Sequence, residues 1–120
     1  NAVVSGSLAS LKISFKNEAT VCKYAVPNGY PNNPNKNFDV VCNPSDSNLY
    51  LAAVQKKAGG IIATGSRAAA YVGTNKEIAV AEKVAERGIC GVEGDLFHRK
   101  DIGTKKLIDF RIRNMRNLLR

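Results

Sequence analysis

The sequence predicts an α+β fold, a small antiparallel β-sheet of about five strands with two helices. In residues 18–73, short runs rich in apolar and β-branched residues alternate with Gly, Pro and Asn turns, as is typical of strands. In residues 49–73 the connections between three such runs are too short for crossovers, so these strands must be antiparallel. Two later segments carry apolar residues at helical spacing. The 120 residues, 44% hydrophobic and 23% charged, fit one folded domain, residues 1–120.

The first strand is predicted at residues 18–27 (EATVCKYAVP), which alternate loosely and are rich in β-branched residues. It ends in residues 27–37 (PNGYPNNPNKN), whose composition favours turns and resists both helix and sheet. Residues 38–48 (FDVVCNPSDSN) then predict a short extended piece and another turn. We expect Tyr30, an unusual choice for an exposed turn, to pack against a neighbouring domain.

Residues 49–73 (LYLAAVQKKAGGIIATGSRAAAYVG) predict an antiparallel meander of three strands. Residues 58–60 (AGG) supply the first hairpin turn. Gly65 and Ser66 supply the second turn, before the last of the three strands.

The clearest helix is predicted over residues 74–88 (TNKEIAVAEKVAERG). Thr74 and Glu77 have the spacing of a capping box. Gly88 is expected to end the helix. The predicted apolar stripe consists of Ile78, Ala81, Val84 and Ala85.

A short strand at residues 94–98 (GDLFH) is predicted to precede a second helix, with Thr104 as its N-cap. Its predicted apolar face consists of Ile108, Ile112, Met115 and Leu119.

Positive charge is concentrated at the C-terminal end. The chain has a net charge of +8, and residues 99–120 carry eight Lys and Arg against Asp101 and Asp109, which gives +6. One interpretation is a nucleic-acid-binding module, since cations attract phosphate backbones. Phe110 is the only aromatic residue of this segment and nucleic-acid motifs are lacking, so nucleic acid is not the favoured partner. A third interpretation is that the basic face packs on an acidic surface of a longer parent chain.

The cysteines predict a reducing compartment. Cys22, Cys42 and Cys90 are widely spaced, so we expect buried, reduced thiols and a cytoplasmic protein. The sequence has no CxxC pair and only one histidine, His98, which argues against a zinc site. We interpret His98 as structural. Signal-peptide and membrane-span patterns are not found, so no membrane partner is expected.

The strongest candidate site is the loop at residues 99–104. Gly103 can adopt backbone angles closed to other residues, and the free N–H groups of the first helical turn favour an anion. Arg99 and Lys100 could be directed at the same point, Arg99 with bidentate contacts to a phosphate. Asp101 could orient Arg99, accept hydrogen bonds from sugar hydroxyls or cap the turn. The alternative is a solvated, charged turn.

A second candidate site is the turn that contains Thr64, Ser66 and Arg67. Small residues allow a ligand to approach the backbone closely, and Arg67 could contact an anion. An ordinary hairpin is the commoner explanation of such a turn.

Together, these segments resemble the C-terminal domains of the glycinamide ribonucleotide synthetase family of ATP-grasp ligases. The family has a first strand that ends in a GYP turn, here residues 29–31, and a GGR-like turn followed by a strand and a helix, here residues 64–86 with Ser66 in place of the second Gly. The family pattern F-x-R-x-DIG-x-(R/K)-x-L is matched by Phe97, Arg99, Asp101, Ile102, Gly103, Lys105 and Leu107. Order and spacing agree over residues 18–107, although the segment between the GYP turn and residue 58 is diverged.

The resemblance implies a fold shared with the C-terminal domains of ATP-grasp purine-synthesis and biotin-carboxylase-type enzymes. It also implies a ligase that joins 5-phosphoribosylamine, glycine and ATP to give glycinamide ribonucleotide in de novo purine (IMP) synthesis. The chain would be excised from the C-terminus of the ligase, with residues 1–2 as a candidate cloning remnant. Its partners would be the N-terminal and ATP-grasp domains, which bind ATP and Mg²⁺ outside this chain.

By motif position, the resemblance implies a substrate-binding role and no catalytic or metal-binding one. The residues expected to hold the phosphorylated ribose are Arg99, Lys100, Asp101 and Gly103, with Thr64, Ser66 and Arg67 as weaker candidates. The isolated chain is expected to be inactive.

Overall fold

The computed structural model describes residues 1–119, so Arg120 lies outside the described residues. A 3-10 turn at Leu8–Ser10 precedes the first strand. The elements follow in the order β1 (Ala19–Pro27), β2 (Asp39–Val40), β3 (Leu49–Leu51), β4 (Val54–Lys57), β5 (Gly60–Ala63), β6 (Ala69–Asn75), α1 (Ile78–Ile89), β7 (Leu96–Phe97) and α2 (Lys105–Leu118). The predicted α+β class is confirmed, and residues 1–119 form two α-helices and seven strands in two antiparallel sheets.

The larger sheet has the strand order β3-β6-β1-β7, and the smaller one has the order β2-β5-β4. The longest pairing joins β1 to β6, with Ala19 opposite Asn75 and Ala25 opposite Ala69. The core of the smaller sheet contains Val40, Ala63 and Ala68, with larger apolar side chains packed around them.

The predicted meander is wrong at its second turn. The predicted hairpin at residues 58–60 joins β4 to β5, but β5 does not pair with β6. The first predicted strand divides at Ala52 and Ala53, so that β3 pairs with β6 while β4 pairs with β5. The N–H of Ala53 donates to Arg67 O (2.8 Å), and the carbonyl of Ala53 accepts from Thr64 N–H (3.1 Å). The 64–68 segment therefore passes between two sheets instead of closing a hairpin.

Helix α1 packs directly on β1 and β6 because the residues between them are small. Ala81, Ala85 and Ile89 are its buried positions. A Cβ atom on Gly73 of β6 would lie 2.0 Å from the carbonyl oxygen of Ala81, so the two backbones almost touch. Ala81 and Ala85 confirm half of the predicted stripe, whereas Ile78 is exposed.

Both predicted ends of α1 are wrong. Thr74 belongs to β6, and Glu77 is the N-cap, whose N–H donates to Asn75 Oδ1 (3.1 Å). Strand pairing to β1 continues through Asn75, which removes Thr74 from the capping position. Gly88 lies inside the helix, where a Cβ would lie 2.2 Å from the ring of Tyr71. Gly88 therefore provides space for an aromatic ring instead of ending the helix.

Helix α2 begins where the sequence predicts. Thr104 is its N-cap, and Thr104 Oγ1 accepts from Leu107 N–H (3.4 Å). Ile108 is half-buried, but the rest of the predicted apolar face (Ile112, Met115 and Leu119) is exposed. Within residues 1–119, none of the helices combines the length and hydrophobicity needed to cross a bilayer.

The thiols are not buried as predicted. All three cysteines are unpaired, Cys22 and Cys90 are exposed, and Cys42 is half-buried. Cys22 is exposed because it lies on the face of β1 opposite to α1, and Cys90 because it is the C-cap of α1.

Candidate anion-binding groove

A groove of about 430 Å³ lies on the face of the larger sheet that α1 does not cover. We call it the Arg67–Arg99 groove, after the two cations that line it. Its other lining residues are apolar, aromatic or sulfur-containing: Cys22, Tyr24, Val26, Tyr30, Pro31, Phe97 and Ile102. The groove thus brings together the GYP turn, the 64–68 connection and the 99–104 loop, which are far apart in the sequence.

Strand β1 forms the floor of the groove through the alternation of its side chains. Val21, Lys23 and Ala25 are buried, whereas Cys22 and Tyr24 are exposed on the groove side. Successive side chains of a strand point to opposite faces, so a single strand supplies both surfaces. Tyr24 and Phe97 were not predicted as site residues, although the alternation in residues 18–27 was the signal that could have found Tyr24.

The GYP turn is held by its backbone and by a carboxylate. Gly29 has φ +82°, and a Cβ there would lie 2.0 Å from the carbonyl oxygen of Asn33, so only glycine fits. The carboxylate of Asp95 accepts hydrogen bonds from the side-chain amides of Asn28 and Asn35. These hydrogen bonds, from Asn28 first, lower the pKa of Asp95 below its ordinary value. Tyr30 and Pro31, which are joined by a cis peptide bond, line the groove.

Arg99 lines the groove and is held by Asp101 in a bidentate ion pair. Arg99 Nε lies 3.0 Å from Asp101 Oδ1, and Arg99 Nη2 lies 2.6 Å from Asp101 Oδ2. The hydrogen bonds from Arg99 lower the pKa of Asp101, so the carboxylate is charged at neutral pH. The pair uses Nε and Nη2, which leaves Nη1 for an anionic ligand. Asp101 thus fixes the plane of the guanidinium without using all its donors.

Arg67, the second cation, lies over the ring of Tyr24, with Cζ 5.2 Å from the ring centroid. Such a cation–π contact restricts the side chain while its N–H donors stay available. The other two residues predicted in this turn do not line the groove. Thr64 Oγ1 donates to Ala53 O (3.0 Å), and Ser66 is exposed.

Lys100 and Gly103 do not line the groove either. The Lys100 side chain is exposed, and its backbone carbonyl accepts a hydrogen bond from Lys23 Nζ (3.0 Å). Gly103 has φ +81°, as expected of a glycine that makes the turn, and a Cβ there would lie 2.7 Å from Val21. Gly103 therefore seats the loop on β1.

A buried lysine holds the 99–104 loop from behind, and sequence reasoning missed it. Lys23 Nζ lies 2.7 Å from Glu82 Oε1 and 2.5 Å from Glu86 Oε2, both on α1. Burial alone would lower the pKa of Lys23, but its bonds and ion pairs with Glu82 and Glu86 raise it. Its side chain is 0% exposed, on the strand face where the sequence favours apolar residues. The i,i+4 spacing of Glu82 and Glu86 was the available signal.

The N-terminus of α2 is not part of the groove. It lines a separate hollow of about 290 Å³ with Asp101, Thr104, Lys106 and Arg113 among its residues. Arg99 does not line this hollow. The structure thus divides the predicted anion seat into two surfaces on either side of Asp101.

The groove is arranged for binding an anion that also has an apolar or planar part. Partial desolvation raises the pKa of the Cys22 thiol, so Cys22 stays protonated at neutral pH and is a poor nucleophile. The two guanidinium groups supply charge, and the aromatic side chains supply surface for packing.

Comparisons with known proteins decide the family. A family model described as "Phosphoribosylglycinamide synthetase, C domain" matches residues 20–105. The chain belongs to this family. The resemblance expected from the motifs is thereby confirmed.

Among curated relatives, the phosphoribosylamine–glycine ligase of Methanosarcina barkeri is 48% identical over 119 residues, which cover 98% of this chain and 28% of the relative. The ligase of Methanosarcina acetivorans is 49% identical over 119 residues, 98% of this chain and 27% of the relative. The chain therefore spans a little over a quarter of the length of these relatives.

A solved structure of phosphoribosylamine–glycine ligase from Thermotoga maritima shares the fold, with a TM-score of 0.60. It is 24% identical, and the superposition covers 65% of this chain and 20% of that one. The comparisons do not favour the nucleic-acid alternative. The family match includes all the residues that line the groove and ends at residue 105, where α2 begins.

Proposed function

We propose that this chain is the C-terminal, substrate-closing domain of a phosphoribosylamine–glycine ligase. The reaction phosphorylates the carboxylate of glycine with ATP, and the amine of 5-phosphoribosylamine then displaces the phosphate, giving glycinamide ribonucleotide, ADP and phosphate. This is a step of purine synthesis, and we place it in the cytoplasm. The proposal is supported by membership of the family over residues 20–105 and by the names of the relatives.

We assign the phosphate of the ribose substrate to the Arg67–Arg99 groove. The observation that carries this assignment is the convergence of Arg67 and Arg99 on one groove, each held by a neighbouring side chain. Guanidinium groups bind phosphate through paired N–H donors, and held side chains lose less entropy on binding. Asp101 keeps Arg99 in place. Lys100, Gly103, Thr64 and Ser66 belong to the segments that bear or adjoin the two arginines, and we propose that they support the site indirectly.

We assign ATP and Mg²⁺ to domains outside this chain. Magnesium takes oxygen ligands, usually carboxylates and phosphates. Among the described residues, those that line the groove include two arginines and no carboxylate. The groove therefore does not fit a Mg²⁺–nucleotide site, and we expect the isolated chain to be inactive. The remaining domains of the ligase would complete the substrate pocket.

The test is steady-state kinetics of the full-length ligase with Arg99→Ala. A charge-assisted hydrogen bond contributes about 1.5–3 kcal/mol, so we expect the KM for phosphoribosylamine to rise about 10–150-fold. The KM for ATP should change far less. The KM for phosphoribosylamine of Arg99→Lys should lie between those of the wild type and Arg99→Ala, because lysine keeps the charge but loses the bidentate geometry.

The matched control is Arg116→Ala, which removes an exposed cation of α2 outside the groove. It should leave both KM values close to those of the wild type. Equal rises in the KM for ATP and for phosphoribosylamine with Arg99→Ala would contradict the assignment, as would an effect of Arg116→Ala as large as that of Arg99→Ala.

A further inference from the structure

We propose that Glu86, Cys90 and His98 form a Zn²⁺ site that fastens the 99–104 loop, here called the Arg99 loop, to helix α1. Their potential ligand atoms, one carboxylate oxygen, one thiol sulfur and one imidazole nitrogen, all lie within 4.8 Å of one another. Glu86 and Cys90 are four residues apart, at the end of α1, and therefore lie on one side of the helix. His98 comes from the other direction, directly after β7. The spacing of Cys and His in the sequence does not indicate this site, because Glu86 is the residue that joins them.

The distances suit a tetrahedral ion. His98 Nε2 lies 3.0 Å from Glu86 Oε1, and Cys90 Sγ lies 3.9 Å from the same oxygen. Zinc bonds of about 2.0–2.1 Å to N and O and about 2.3 Å to S separate tetrahedral ligand atoms by about 3.3–3.6 Å. The ligand atoms lie within 4.8 Å of one another, so the widest of their separations has to shrink by about 1 Å to reach the tetrahedral value. Cys90 is exposed and can make this adjustment by a change of rotamer.

The ligand set selects the metal. One thiolate, one imidazole and one carboxylate suit the borderline cation Zn²⁺, whereas Mg²⁺ and Ca²⁺ prefer oxygen ligands alone. Three protein ligands leave the fourth position for water. The exposed edge at Cys90 gives an entry path for the ion.

The surrounding charges balance a divalent ion. Glu86 uses Oε2 for Lys23 and Oε1 for His98, so Oε1 can bind the metal without breaking the ion pair with Lys23. With Zn²⁺ bound, the cluster contains the ion, the ammonium of Lys23, the carboxylates of Glu82 and Glu86 and the thiolate of Cys90. Their formal charges sum to zero. A partly buried cluster without net charge is favourable, because an unbalanced charge is costly where water is partly excluded.

The consequence of the site is mechanical. His98 is adjacent to Arg99, so an ion bound by His98 and α1 would restrict the start of the Arg99 loop. Without the ion, His98 is joined to α1 by a hydrogen bond to Glu86 Oε1 (3.0 Å), in addition to the bond from Lys23 to the Lys100 carbonyl. The proposal stands on the geometry of these three residues and does not depend on the reaction of the ligase.

The test is titration of the reduced, chelator-treated 120-residue chain with Co²⁺ and then Zn²⁺. We expect one equivalent of Co²⁺ to give a thiolate-to-cobalt charge-transfer band, which Zn²⁺ removes by displacement. Cys90→Ser should abolish the band. His98→Gln and Glu86→Gln should each weaken Co²⁺ binding by at least about 10–100-fold. Mutating a residue that only hydrogen-bonds to a metal ligand already costs this much affinity, so losing a ligand should cost no less.

The matched control is the double variant Cys22→Ser/Cys42→Ser, which removes the other two thiols and should retain the band. Circular dichroism checks that each variant is folded. A measurement on the wild type alone guards against misfolded variants, because bound Co²⁺ should broaden the NMR signals of residues 86–98 before those of residues 49–63. Absence of the band in the wild type, its persistence in Cys90→Ser or broadening centred elsewhere would overturn the proposal.

Discussion

Replacing Lys23 by methionine should destabilise the domain more than most single substitutions. Methionine nearly fills the space of the lysine side chain but removes its charge and its three hydrogen bonds, to Glu82 (2.7 Å), to Glu86 (2.5 Å) and to the carbonyl of Lys100 (3.0 Å). Two carboxylates are then left facing an apolar group, and they repel each other. The carbonyl of Lys100, through which Lys23 holds the Arg99 loop, also loses its hydrogen-bond donor.

The exposures of the three side chains set the magnitude. Removing one partner of a buried ion pair costs about 3–5 kcal/mol. Lys23 is 0% exposed, but Glu82 and Glu86 are 16% and 30% exposed, so water partly screens the carboxylates that remain. We therefore expect the lower end of the range, about 3 kcal/mol. With typical urea m-values of about 1–3 kcal/mol/M, the midpoint should fall by about 1–3 M.

The assay is urea unfolding of the 120-residue chain at neutral pH, followed by circular dichroism. EDTA is included so that bound metal does not contribute. The informative companion is the triple variant Lys23→Met/Glu82→Gln/Glu86→Gln, which removes the stranded charges and should recover a large part of the lost stability. A loss below about 1 kcal/mol in the single variant would refute the reasoning, since it would fall within the range of an exposed ion pair. A triple variant no more stable than the single one would refute the role of the carboxylates.

Two further predictions concern other parts of the fold. Gly73→Ala should destabilise the domain by about 3 kcal/mol, because its Cβ would lie 2.0 Å from Ala81 O and separate α1 from β6. Gly60→Ala, in open space on β5 and without a left-handed φ, is the matched control for the loss of a strand glycine alone, and an equal loss there would contradict the clash. The second prediction concerns Asp95, whose pKa is lowered in the folded state by hydrogen bonds from Asn28 and Asn35. The ionised carboxylate therefore stabilises the GYP turn at pH values above its unfolded pKa of about 3.9. This stabilisation is lost as the pH falls through the folded-state pKa. NMR should show the Asp95 carboxyl titrating below 3.9 in the wild type and at its ordinary value after Asn28→Ala and Asn35→Ala; an ordinary value in both would contradict the hydrogen bonds.

Local patterns predicted the elements of this fold well. Hydrophobic alternation located β1, the AGG turn located the β4–β5 hairpin, and Thr104 located the start of α2. Each of these features depends on residues close together in the sequence. The division of β3 from β4 at Ala52 was not visible, because nothing in the local pattern distinguishes a straight strand from one that changes sheets.

The candidate site was predicted in part. Its arginines follow from family motifs, but the aromatic side chains beside them come from opposite ends of the chain. Lys23 was missed because a lysine in a strand is usually exposed, and only the fold brings Glu82 and Glu86 to it. Gly88 was misinterpreted because the ring that occupies its space belongs to a residue on another element, Tyr71.

The alternation of β1 has a consequence for how this strand tolerates mutation. Its even-numbered positions, such as Cys22 and Tyr24, face the groove, while Val21, Lys23 and Ala25 face the interior. Substitutions at residues 20–25, where exposed and buried side chains alternate, should therefore fall into two alternating classes of effect. A saturation library selected for abundance should be depleted at the odd positions, and one selected for ligase activity at both. Positions depleted only in the activity selection would then be those that face the proposed substrate groove, so the difference between the two profiles tests that proposal without a bound complex.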